Sequence, residues 1–449
     1  MIQEKIKGLV YPLPEDVQLA KDAGDFEKED QLIGIYLNDE KTPCFLKDRF
    51  LVEKEIIRRL PNEYPYTKNE QLKIIQEEIP DFTMDELHEA MDTRKLDWIY
   101  VNKEVHIQKR AYASMKKVYK DIALRAHEPH QENVLLNDFM HELKEKGKLI
   151  YHIHLKTEIK IKDEYFHPGK VLVHLPIPTS CTSMQNIHIL SYSEGGMIDD
   201  EHSFSRTISF EEDMKENHSF FVEYEYDSIQ EYHDVFSKDS EQCDINTYTD
   251  EMYPHIVFTP IVKALCKELS EGKKTDVEKA WAFYRYCTEN VTYSFMRSYF
   301  TNTNIVEYAL THRIGDCGVK ALLFITLCRC AGIPAHWQSG LYVNGKDVGN
   351  HDWAMFYIQP FGWVYADPSF GGSAYLAGNL ERQKFYFGNL DCYRMVANNQ
   401  FQQELNPPKT CFRNDPYDNQ SGEIEYCDEE GLLSNQFEIK REVIGFEKR

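Results

Sequence analysis

The stretch Arg313–Pro334, RIGDCGVKALLFITLCRCAGIP, sets Cys317 between two glycines at the mouth of a strongly apolar run. Val319, Leu322, Leu323, Thr326, Leu327 and Cys330 recur at helical spacing, and the run is apolar on nearly every side, which predicts a central buried helix. Gly332 suits a left-handed C-terminal cap and Pro334 prevents continuation, so the helix is expected to begin at or just after Cys317. A thiol in that place feels the positive end of the helix dipole and unpaired N–H groups, which favour thiolate and predict a lowered pKa. The same N–H groups can hold an oxyanion formed on an attacked carbonyl. Gly315 and Gly318 remove side chains on both sides, so a substrate backbone could approach the sulfur. Asp316 would raise the thiol pKa if it pointed inward; it is expected to face the helix N-terminus or a cation instead.

A thiolate nucleophile needs a partner to move protons. His351 opens the strand-like HDWAMFYIQ, and a turn at Pro360, Phe361 and Gly362 leads to GWVYAD, which ends in Asp367. If the two strands pair, Asp367 lies beside His351, where a buried carboxylate fixes the imidazole tautomer. Asp352 is nearer along the chain but belongs to the opposite strand face. Each signal alone has an ordinary packing explanation. The order Cys, His, Asp on helix, strand and adjacent strand makes them specific.

The composition narrows the class. At 449 residues, with 42% hydrophobic and 13% aromatic content, the chain can form several domains with a sizeable core. The 74 acidic and 51 basic residues give a formal charge of −23, which repels polyanions and argues against nucleic-acid partners and anionic membranes. No run approaches eighteen apolar residues and no signal-like segment opens the chain, so a cytoplasmic location is expected. Eleven cysteines without regular spacing do not read as a disulfide framework or a zinc site, and no metal is expected.

Residues 1–145 read as a mainly helical N-terminal domain, winged-helix-like in its helix, turn, helix and hairpin order, with capping boxes at Thr67/Glu70 and Thr83/Glu86 and a hairpin turn at Asn102 and Lys103. Residues 146–250 change to period two, as in YHIHLKTEIKIK, and read as a β-rich, sandwich-like domain. His152 and His154 share one face of that strand and read as solvated. From 251 to 449 the helical pattern returns, with a capping box at Thr275/Glu278, and a long C-terminal extension follows the Cys317 region.

The blocks GDCGVKALLFITLCRCAGIPAHWQSG, NHDWAMFYI and WVYADPSFGG resemble the core of the transglutaminase-like superfamily, most strongly over about 275–375. The β-rich segment is similar to the β domain that often precedes this core in bacterial members. The resemblance implies an α+β, papain-like/transglutaminase-like core, which follows the β-sandwich-like domain and the N-terminal mainly helical domain read from the pattern; residues 1–145 lie outside the resemblance. It implies Cys317 as nucleophile, His351 as general base, Asp367 as its orienting partner, and no cofactor. Tyr293, in the strand before the cysteine, is the candidate oxyanion side chain, with simple core packing as the alternative. Gly318 stands where many members have a bulky residue, which predicts a more open site. Trp353, with Trp337, Trp363 and Tyr365, stands in sequence where it could line a groove for a peptide or protein substrate, and Trp353 and Tyr365 read equally as core residues of the sheet. The implied chemistry is acyl transfer or hydrolysis at an amide through a thioester, as in a protease, amidase, deamidase or transglutaminase. Peptide N-glycanase chemistry fits the same core, but the CxxC pairs often found near it are absent. The alternative is a catalytically silent transglutaminase-like binding or scaffold protein.

Overall fold

The computed structural model describes residues 2–237, 247–427 and 431–449. Its most local features follow the side chains directly. Thr67/Glu70, Thr83/Glu86 and Thr275/Glu278 each close a reciprocal capping box, which satisfies two orphan donors at a helix start. Asn102 and Lys103 both take positive φ, 50° and 69°, and turn Trp98–Val101 back onto Glu104–Ile107. That hairpin joins Tyr66–Thr67 in a three-stranded sheet, and Ile75, Leu87, Ile107 and Met115 form a small core beneath it.

The strand Lys148–Ile161 buries Ile153, Leu155, Thr157, Ile159 and Ile161 and leaves the alternate residues partly exposed. It is flanked by Ser219–Glu231, with Met184–Tyr192 beyond, and by Phe437–Lys448. A second four-stranded sheet centres on Gly169–Pro176 and Thr207–Met214 and ends in Glu423–Tyr426 on one side. The tail expected to extend the 251–449 segment therefore returns to complete both sheets of the 146–250 segment. Period-two alternation fixes a strand's faces but not its neighbours, so this pairing across some 280 residues had no local signature.

The remaining sheet has five antiparallel strands in the order Phe387–Gly388, Gly362–Ala366, Val348–Ile358, Ala335–Val343, Arg394–Asn398. The helix Cys317–Cys330 packs on it, with Phe324 edge-on to Phe356 at 5.3 Å. Every residue from Val319 to Cys328 is buried, which is why the run needed to be apolar all round. Burial of Leu322, Leu323 and Leu327, each worth roughly 2 kcal/mol, anchors the N-terminus that carries the thiol. The helices Pro260–Ser270, Asp276–Glu289 and Pro368–Leu376 surround it. Among the described residues, no helix is long and apolar enough to cross a membrane.

Candidate active site

Cys317 is the first residue of its helix, as its glycine-flanked position predicts. Asp316 is the N-cap: its carboxylate accepts from the Val319 N–H at 3.3 Å and from the Tyr299 hydroxyl. Burial pushes the Asp316 carboxyl up to about 6 against these hydrogen bonds.

Cys317, His351 and Tyr293 line one cavity of about 790 Å³. His351 Nε2 donates to Asp367 Oδ2 at 2.7 Å, and both side chains are buried. Asp367 lies just past the strand Gly362–Ala366, where it caps the helix Pro368–Leu376 by accepting from the Phe370 N–H at 2.8 Å. Burial alone would raise its carboxyl, but the charges of His351 and Arg394 hold it down at about 2. The ionised carboxylate fixes the proton on Nε2 and leaves Nδ1 as an acceptor lone pair. Burial lowers the imidazole pKa and outweighs Asp367, so the ring is neutral at pH 7.

Behind this pair stands a charged support that the motif reading missed. Arg394 donates to Asp367 at 2.9 Å and to both oxygens of Asp391, at 3.0 and 2.7 Å. All three residues are buried. The available signal was Asp391 and Arg394 standing three apart in the otherwise apolar FYFGNLDCYRMVA, a pattern that demands mutual pairing.

Four expectations need correction. The thiol is pushed well above its ordinary pKa rather than lowered: burial comes first, then the charges of Asp352 and Asp316, which together outweigh the helix N-terminus. Its hydrogen-bond partner is Asp352, set aside for strand parity. Sγ donates to Asp352 Oδ2 at 3.1 Å, while the Asp352 N–H is directed back at the sulfur. Burial and the neighbouring Asp418 carboxylate raise Asp352 strongly, so this pair shares a proton carried by Asp352. Gln420 and Ser339 donate to the two carboxyl groups.

Gly318 does not open the groove, because a Cβ there would fall 2.3 Å from the Tyr299 hydroxyl and 2.8 Å from Trp337. Trp353 does not line the groove either. It is fully buried, donates to Gln338 Oε1 at 2.9 Å and lies 5.2 Å from the Arg394 guanidinium, backing His351 from below. Trp337 is likewise core, and the aromatics of the cavity are Tyr293, Phe295, Tyr299, Tyr342 and Phe370. Tyr293 lies under the Lys117 ammonium at 4.1 Å, and its hydroxyl makes no hydrogen bond among the described residues. His152 and His154 pair with Asp227 and Glu223, each at 2.8 Å, well away from this site.

Residues 263–368, a span containing Cys317, His351 and Asp367, match the transglutaminase-like superfamily model. The chain matches no curated protein. Among solved structures it is similar to a candidate cysteine protease from Cytophaga hutchinsonii, at 15% identity and a TM-score of 0.40, over 66% of this chain and 91% of that one. It is also similar to the periplasmic domain of TgpA from Pseudomonas aeruginosa, at 14% identity and a TM-score of 0.29, over 54% and 95% of the two chains. The chain thus carries a transglutaminase-like domain over residues 263–368.

Proposed function

We propose that this protein is a cysteine-dependent enzyme that attacks an amide of a peptide or protein, with Cys317 as nucleophile, His351 as general base and acid, and Asp367 as the orienting carboxylate. The observation that carries this reading is the ionised, buried Asp367 holding the His351 Nε2 proton at 2.7 Å, in the cavity the thiol faces. Because thiol and imidazole are both neutral at rest, the nucleophile forms only as the reaction proceeds. The thiol proton passes to His351 Nδ1 while sulfur bonds to the carbonyl carbon, and Asp367 stabilises the imidazolium. The helix N–H groups and the free Tyr293 hydroxyl face the developing oxyanion. His351 then protonates the departing amine, leaving a thioester that water or a second amine resolves. Water is the favoured acceptor, since a papain-like Cys-His arrangement supports hydrolysis readily.

A specific observation also favours a silent binding protein: a thiol kept protonated against Asp352 is a poor nucleophile until something disturbs that contact. The two readings separate in one experiment. The full-length chain is incubated with a proteome-derived peptide library and rapidly quenched in acid, and mass spectrometry then scores new termini, deamidated side chains and acyl adducts on Cys317. The enzyme reading expects turnover that Cys317→Ala abolishes and that His351→Ala lowers about 10²- to 10⁴-fold. No product and no adduct would establish the silent reading.

A further inference from the structure

A second cavity, of about 440 Å³, adjoins the thiol cavity; Lys117, Tyr293, Ser369 and Phe370 line both. Its charged lining is three cations, Lys117, Lys320 and Arg382, against one acid, Glu289. Glu289 is already clamped by Arg285, at 2.7 and 2.9 Å, and by Gln383. Arg382 donates from one terminal nitrogen to the Asn133 carbonyl and Asn137 Oδ1, while its buried Nε has no partner among the described residues. The two lysines are not committed. Lys320 lies one turn beyond Cys317 on the same helix and is 2% exposed, yet its ammonium makes no hydrogen bond or ion pair among the described residues. It stands against Gly372 in the cavity wall, where a Cβ would come within 2.6 Å of Nζ. Lys117 rests on the faces of Tyr293 and Phe295, at 4.1 and 5.1 Å, with no carboxylate partner among the described residues. The rest of the wall combines an aliphatic side, Val118, Leu136, Val291 and Leu376, with the hydroxyls of Thr288, Thr292, Ser369 and Ser373.

A buried ammonium with no anion within hydrogen-bond reach is costly, and burial accordingly pulls Lys320 down to about 8 against the charge of the more distant Asp367. An anionic group entering beside Lys117 would supply the missing partner, and the aliphatic side would hold the carbon chain that bears it. We propose that this second cavity is a substrate subsite for a carboxylate on an apolar stem, so that the enzyme selects acidic peptide residues or a free peptide C-terminus next to the attacked amide. In a chain of net charge −23, such a pocket offsets a general repulsion locally. The inference rests on the reading of the Cys317 cavity as a peptide site but does not require turnover.

Its test is calorimetric titration of the full-length Cys317→Ala chain with three capped tripeptides at up to 10 mM: acetyl-Leu-Glu-Leu-amide, acetyl-Leu-Gln-Leu-amide, and acetyl-Leu-Gln-Leu with a free carboxylate. At least one acid is expected to bind tenfold or more tighter than the neutral peptide, and which one does so identifies the source of the carboxylate. Lys320→Met, nearly the same shape without the charge, is expected to erase the preference. Gly372→Ala, which crowds the ammonium, is expected to weaken it, with circular dichroism confirming that both variants are folded. Equal affinities, no binding by any peptide, or a preference that survives folded Lys320→Met would overturn the proposal. Selective binding alongside a failed peptide-library experiment would remove the catalytic reading and leave the subsite standing. Turnover of neutral and acidic peptides alike would do the reverse.

Discussion

Asp352, rather than His351, holds the Cys317 sulfur. It is bonded to Sγ at 3.1 Å and shares a proton with Asp418, so the carboxyl ionises before the thiol as pH rises and then opposes the second negative charge. Replacing it by asparagine removes that charge while keeping a side chain that can fill the same space. Asp352→Asn is expected to move the pH midpoint of Cys317 alkylation by iodoacetamide downward, with about a tenfold gain in rate at pH 7 for every pH unit by which the midpoint falls. A midpoint unmoved by the substitution would show that burial alone keeps the thiol neutral. None of this was visible in the NHDW sequence, because strict strand alternation assigns Asp352 to the face away from His351, whereas the thiol at the helix end reaches Asp352 itself.

The helix Cys317–Cys330 shows how one element carries both stability and chemistry. Asp316 caps it and also places a carboxylate next to the Cys317 thiol, and these two roles can be separated by substitution. Asparagine caps as well as aspartate does, so Asp316→Asn is expected to leave stability nearly unchanged and to lower the thiol midpoint above pH 6, where Asp316 is ionised. Alanine loses the cap, and Asp316→Ala is expected to cost about 1 kcal/mol in a urea titration. Equal stabilities for the two variants would mean that the cap contributes nothing.

The same element marks where the sequence was legible. Its start, its burial and its C-terminal Gly332, with φ of 78°, depend on residues within one or two turns, as do the three capping boxes and the Asn102-Lys103 turn. Asp418, Gln420 and the strand Phe437–Lys448 were opaque because they act on partners far away in sequence: Gln420 on Asp352, and Phe437 on Ile161. The aromatic residues misled for a related reason. Composition cannot tell a tryptophan facing a cleft from one backing a histidine.

At the scale of the whole molecule, three distant stretches meet around the site. Arg59 donates to the carbonyls of Arg413 and Asn414 at 2.8 Å, and Glu63, Lys109 and Arg110 wall the cavity from the N-terminal side. Arg441 donates to the Gln420 carbonyl at 2.9 Å, and Gln420 donates to the His351 carbonyl at the same distance. Folding buries titratable groups, at this site and in the N-terminal helices, whose shifts make stability depend on pH in two opposite directions. Glu29, Asp415 and Asp316 have folded-state values raised to about 8, 7 and 6, burial being the first cause in each. The folded state holds these protons when the unfolded state has lost them, so their contribution is full below about pH 4 and is lost as pH rises through 6 to 8. Lys320, lowered to about 8, works the other way near that pH but is a single group against three.

On the acid side, Asp367 and Glu423 are held at about 2 by their cationic partners, against burial. Burial lowers His174 and His255 to about 3 and His336 to about 4. The unfolded chain takes up these five protons first, so this stability is lost as pH falls, for the histidines from about 6.5 and for the acids from about 4, at about 1.4 kcal/mol per pH unit for each proton of difference. The two limbs place the maximum on the acidic side of neutrality. The urea midpoint of the full-length chain is therefore expected to be higher at pH 6 than at pH 8.5, and to fall steeply by pH 3. A midpoint at pH 8.5 equal to or above that at pH 6 would mean that Glu29 among the N-terminal helices, and Asp415 and Asp316 in the cavity wall, are ionised in the folded state.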